Sequence, residues 1–316
     1  MRGLACLAAA LFLAGSGVAA AQPYSVALPC KATELKAAAA AERLAVTCED
    51  GAVQVVETPT GRVLKRLSKA DYPAGAGDVN VSALSADGRQ VALGFYSGTL
   101  AVWNLDDAAA PRVTKAPSYA FNLAFNRDGR SLVMAEHLFD MTAPPRQIAR
   151  FPTDFGGPNE VAFSPDGGRV ALANGDTTVR LLDGRTWVQR AEYRDLVVSP
   201  LAIAFADGGR RLVAGLADGR LLLLDPHSLK PLSEAWGPAG TFVMTVTPAE
   251  PGAVLVRHEP ASGVGDPQWS LFDLRTAKLR PVKGLGRIAV GAMRKGRLWL
   301  YAADGLTLKI WAPTPG

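Results

Sequence analysis

Three histidines, His137, His227 and His258, are the only imidazoles in the chain, and they lie far apart in it. A transition-metal triad needs such donors to converge on one ion, which this spacing does not favour. Glu136, His137 and Asp140 crowd one short stretch and have suitable donor types for a cation. Adjacent residues of a strand point to opposite faces, however, so the set is split. The serine elbow G-x-S-x-G, the phosphate loop G-x-x-x-x-G-K and the zinc motif H-E-x-x-H are all absent. Gly284-Leu285-Gly286 lacks the third glycine of a dinucleotide fingerprint. The residue inventory therefore favours a non-catalytic protein with no cofactor and no metal.

The cysteines point to a compartment. Residues 1–21 read as Arg2, an apolar run and then Ala19, Ala20 and Ala21, the pattern of a secretory signal peptide. Removing these 21 residues from 316 leaves 295, with Cys30 and Cys48 as the remaining thiols. An even count in an exported chain predicts a Cys30 to Cys48 disulfide, because the periplasm and the exterior are oxidising. No other stretch is long and apolar enough to span a bilayer as a helix. The expected location is periplasmic or secreted.

What positions these residues is a repeat. LSADGRQV (Leu84 to Val91), FNRDGRSL (Phe125 to Leu132), FSPDGGRV (Phe163 to Val170) and FADGGRRL (Phe205 to Leu212) each set a turn between two apolar runs. Their aspartates Asp87, Asp128, Asp166 and Asp207 are 41, 38 and 41 residues apart. An Asp-Gly pair between alternating apolar runs is a hairpin signal, since glycine reaches positive φ without strain. A second turn follows in EDGAVQVVE, YSGTLAVWN, NGDTTVRLLD, ADGRLLLLD and ADGLTLKIW and opens a third strand. Looser copies bring the repeats to seven, about 42 residues each, the spacing of a four-stranded propeller blade. The last repeat stops after LKIWAP, so the early strand YSVALP (Tyr24 to Pro29) is expected to complete it and close the ring.

These residues resemble the WD-repeat and quinoprotein-like family of β-propellers, in the form of an exported bacterial-type member. The resemblance is strongest at FSPDGGRVALANGDTTVRLLD (Phe163 to Asp183). The family's Gly-His pair is missing and its Trp-Asp ending survives only as Trp103-Asn104 or as Leu-Asp and Phe-Asp. Its histidine-centred hydrogen-bond tetrad is thus absent, so the blades are expected to rest on apolar packing. The fold class is an all-β, seven-bladed propeller of four-stranded antiparallel blades in a single domain, residues 22–316. The first blade is the weakest match, because Ala37 to Ala41 can also nucleate a helix.

The resemblance also sorts the loops. With strands a to d in each blade, the b-c and d-a loops share one face and the a-b and c-d loops the other. Acids fall at the b-c turns as Asp50, Asp140, Asp176, Asp218, Asp266 and Asp304, and the d-a segments carry Tyr72, Tyr119, Phe155, Tyr193 and Trp236. The opposite face collects Arg89, Arg127, Arg130, Arg169, Arg210, Arg211, Arg294, Lys295 and Arg297. Aromatics among carboxylates suit protein recognition, while Asp-Gly turns and gap-filling aromatics are also ordinary structural chemistry.

With 48% apolar and 20% charged residues, the composition excludes disorder, collagen and coiled coil. The net charge of +5 leaves anionic partners open, but the export signal disfavours nucleic acid. The reading is a protein-binding scaffold of the cell envelope, a monomer or a subunit of a hetero-complex, whose partner is another envelope or secreted protein. The alternative is a propeller enzyme of lactonase or hydrolase type, using channel carboxylates and a divalent cation held through Asp140 or Asp176. A third reading is sugar stacking on the aromatic ring.

Overall fold

The computed structural model describes residues 23–117, 122–142, 145–151, 157–249, 252–294 and 297–311. The expected leader, Tyr119, Phe155 and Lys295 lie outside them. The described strands form seven four-stranded antiparallel sheets. Six are simple meanders, blade 1 over residues 32–67 and then 79–115, 123–150, 158–193, 200–236 and 241–282. The seventh holds Ile288–Arg294, Arg297–Asp304 and Thr307–Trp311, with Tyr24–Ala27 as its fourth strand. Tyr24 pairs with Ile310 and Ala27 with Thr307, so the chain start seals the ring. The Ala37 to Ala41 stretch makes no helix: Ala32–Ala37 is the innermost strand of blade 1.

The a-b hairpins follow from Ser-x-Asp-Gly chemistry. In blade 2 the Ser85 hydroxyl donates to Asp87 and accepts from the Gln90 amide, and Gly88 takes φ +70°. Ser164, Asp166 and Gly167 repeat the arrangement in blade 4. Strands b and c are buried on both faces, which explains continuous apolar runs such as Leu221 to Leu224. The fourth strands alternate and face solvent, as in Pro231–Trp236.

The core is divided among the seams between blades. Leu44, Val46 and Val56 of blade 1 pack against Tyr301, Leu308 and Ile310 of blade 7. Leu212 and Leu222 of blade 5 pack against Ala171 and Val179 of blade 4 in the same way, and the other five seams have their own clusters. The Cys30–Cys48 disulfide forms, with Cα atoms 5.8 Å apart, and ties the segment after the closing strand to strand b of blade 1.

Apolar packing is not the whole account of the seams. On the a-b face the first residue of strand b reaches a turn carbonyl of the next blade. Arg43 donates to Gly88 (2.9 Å), Gln90 to Gly129 (3.2 Å) and Arg169 to Gly209 (3.0 Å). Arg112 adds a bond to Met141 across the seam of blades 2 and 3, Arg127 reaches Pro165 across that of blades 3 and 4, and Arg294 pairs with Glu42 where the ring closes. These staples join the blades that the missing histidine tetrad was expected to leave without polar ties.

Candidate functional site

The b-c face is built at the starts of strands a and c and the ends of strands b and d. Its turn acids are placed as the spacing predicts in blades 1, 4, 5, 6 and 7; Asp266 of blade 6 is exposed, and each of the other four is ion-paired. Asp50 accepts from the Ala52 amide and from Arg66 at 2.7 Å, which lowers its pKa. Asp176 pairs with Arg180 at 2.6 Å, and Arg180 also meets Glu192 at 2.9 Å, all three largely buried. Asp218 pairs with Arg220 at 2.8 Å and Asp304 with Lys309 at 3.2 Å. Four of the five turn acids are therefore offset by a neighbouring cation, and Asp266 is the exposed carboxylate among them.

Asp140 is elsewhere. The b-c turn of blade 3 is the two-residue Ala135-Glu136, with Ala135 at φ +53°, while Asp140 ends strand c and caps Thr142 on the opposite face. The expected position was wrong because this hairpin is tighter than its counterparts. Asp140 and Asp176 thus sit on different faces and cannot share one ion. Among the described residues no three His, Cys, Asp or Glu side chains are grouped to hold a metal.

The aromatics divide into two kinds. Tyr72 is half-buried, its hydroxyl donating to Gly51 O at 2.7 Å and its ring edge-on to Phe95 at 5.1 Å. Burial, with Asp50 and Asp71 behind it, pushes the Tyr72 phenol up to about 12. Tyr193 packs onto the seam of blades 4 and 5. Trp236 is the described aromatic of the set that meets solvent, 62% exposed with Arg220 stacked 5.4 Å from its ring.

Side chains outside the predicted set complete the face. Tyr96, Val197, Val264 and Leu306 occupy its turns and loops, and Met244 stands at the mouth of the central channel, all exposed. The opposite loops hold one large exposed apolar residue among those described, Val188. The remaining exposed ones, such as Val63 and Ile148, lie on outer strands. Tyr96 was legible as the aromatic that takes the acid's place in the blade 2 turn, YSG.

On the axis, the seven innermost strands enclose a cavity of about 550 Å³. A register shift recurs at the start of these strands, at Thr33, Asn80, Asn159, Leu201 and Met244. Such bulges turn one side chain toward the axis. Asn159 uses that position to donate to Pro200 of the following blade, and Asn122, immediately before the strand Leu123–Phe125, donates to Pro158 of the blade after its own. Just below, Glu34 and Glu160 occupy equivalent positions of blades 1 and 4. Glu34 accepts from Ser82 at 3.1 Å and pairs with Lys36 at 3.0 Å, while Glu160 accepts from the Ile203 amide at 2.8 Å. Burial pushes the Glu160 carboxyl up to about 7, against that hydrogen bond and the Lys36 charge.

A closed ring of seven four-stranded blades around an axial cavity defines a β-propeller of WD-repeat-like architecture. It is similar to the β-propeller domain of Myceliophteria thermophila Cps50 (Swd1), at 13% identity and TM-score 0.70, covering 93% of this chain and 99% of that one. That likeness concerns the fold. No protein-family model matches the chain, and no curated protein matches it.

Proposed function

We propose that the chain is an exported, non-catalytic, bacterial-type propeller that serves as a protein-binding scaffold of the cell envelope and docks its partner on the b-c face. The observation that carries this reading is the segregation of exposed apolar side chains. Among the described loop residues, Tyr96, Val197, Val264 and Leu306 are exposed on that face and Val188 on the other, and Trp236, the last residue of an outer strand, ends at the same face with Arg220 stacked on it. Rigid aromatic anchors beside paired charges are the composition of interface centres. The Cys30–Cys48 disulfide and the leader-like residues 1–21 support export.

The partner is another envelope or secreted protein, with an apolar segment for the Trp236 sector. The test is affinity capture from an envelope extract with wild-type protein, a Trp236→Ala/Tyr96→Ala variant and an Arg130→Ala control on the other face. A partner retained by wild type and control and lost by the double variant is expected. One retained equally by all three contradicts the site.

A further inference from the structure

We propose that the central channel is a second binding site, specific for a small zwitterion of about dipeptide size. Five charged side chains line the cavity; Arg287 of blade 7 donates to Gly265 O at 2.6 Å, and the other four come from three separated blades, Glu34 and Lys36 of blade 1, Glu160 of blade 4 and Arg257 of blade 6. Thr245, the register partner of Arg257, is the residue of blade 6 equivalent to Glu34 and Glu160, so these groups share one level of the channel. No single blade carries the set, which exists only once the ring is closed.

The hydrogen-bond inventory leaves capacity of both kinds. Asn122 is 6% exposed, donates to Pro158 through its amide nitrogen and has no partner for Oδ1. The buried Nε of Arg257 is also unpartnered, although its outer nitrogen pairs with Glu259. Groups left without partners this way cost free energy unless a ligand or water completes them. The Lys36 ammonium, bonded to Glu34, can accommodate a further acceptor. With Arg287 bonded to Gly265 O, the two carboxylates and the two other cations of the cavity disfavour a simple anion or cation, either of which leaves part of the set repelled. A molecule with an ammonium toward Glu160 and Asn122 Oδ1, and a carboxylate toward Lys36 and Arg257, satisfies both halves. An ammonium beside Glu160 also lowers that carboxyl's pKa, so binding near pH 7 releases protons. The site is independent of the docking face, and either can fail without the other.

The probe is glycylglycine, measured by calorimetry and thermal shift on the full exported chain, with acetate, methylammonium and N-acetylglycinamide as controls. Glycylglycine is expected to bind wild type and to bind the isosteric Glu160→Gln and the Lys36→Met variants at least about tenfold more weakly. The three controls are expected to bind equally poorly, and the heat at pH 7 to vary with buffer ionisation. Melting without ligand checks that both variants fold. Absence of binding to wild type, equal binding by the two variants, or acetate binding as well as glycylglycine overturns the proposal.

Discussion

Tyr72 and Trp236 occupy the same part of the repeat and do opposite things. The Tyr72 hydroxyl is anchored to Gly51 O and its ring wedges against Phe95, so Tyr72→Phe should cost about 1 kcal/mol in a denaturant titration and leave partner binding unchanged. Trp236 faces solvent, and Trp236→Ala should change stability by no more than about 0.5 kcal/mol while abolishing capture. Arg180 is a third case. Arg180→Met leaves Asp176 buried without its cation, whereas Glu192 keeps Arg194 at 2.8 Å, and a loss of about 3 kcal/mol is expected on unfolding. Residue types and turn spacing were legible in the sequence, and exposure was not. Burial of Tyr72 depends on a neighbouring blade, and the pairing of Asp50 depends on Arg66, sixteen residues away on another strand.

Two single-strand features set an expected pH response. His258, on the second strand of blade 6, Ala253–Pro260, is fully buried with no partner for either ring nitrogen, and Gly237 packs onto its imidazole. Burial alone holds its pKa down at about 4. The unfolded chain takes up a proton near pH 6.5 that the fold refuses, so stability is lost as pH falls from about 6.5 through 4, by up to about 3 kcal/mol. Glu160, on the innermost strand of blade 4, Pro158–Phe163, works in the other direction. Its folded pKa of about 7 means that the fold keeps a proton the unfolded chain releases near 4.5, so stability is lost as pH rises through that window. In melts at a series of pH values, His258→Leu should remove the acid limb and Glu160→Gln the decline toward neutral pH. Unchanged profiles in both variants would contradict these environments. The strands themselves were legible from their alternation and Asp-Gly turns. The tight Ala135-Glu136 turn was not, because no glycine marks it and a non-glycine residue takes the positive φ.

At the scale of the whole molecule, the period of about 42 residues and the missing last strand make a ring of seven blades and its closure legible in the sequence. The axial charge cluster was not readable, since Glu34, Glu160 and Arg257 become neighbours only through the ring. Closure concentrates stability where the chain start joins its end, at Tyr24–Ala27 and the adjoining disulfide. Cys30→Ser with Cys48→Ser should lower stability by about 3 kcal/mol, as expected for a loop with a sequence separation of 18. Whether one face of this ring docks a partner is decided by site-specific photocrosslinking in intact cells. A benzophenone amino acid is placed in turn at Leu306, Val197 and Val264 on the b-c face and at Arg130, Val188 and Arg210 on the other. A discrete crosslinked species of one partner is expected from the first three positions and none from the second three. Equal crosslinking from both faces, or from the second set alone, would contradict it.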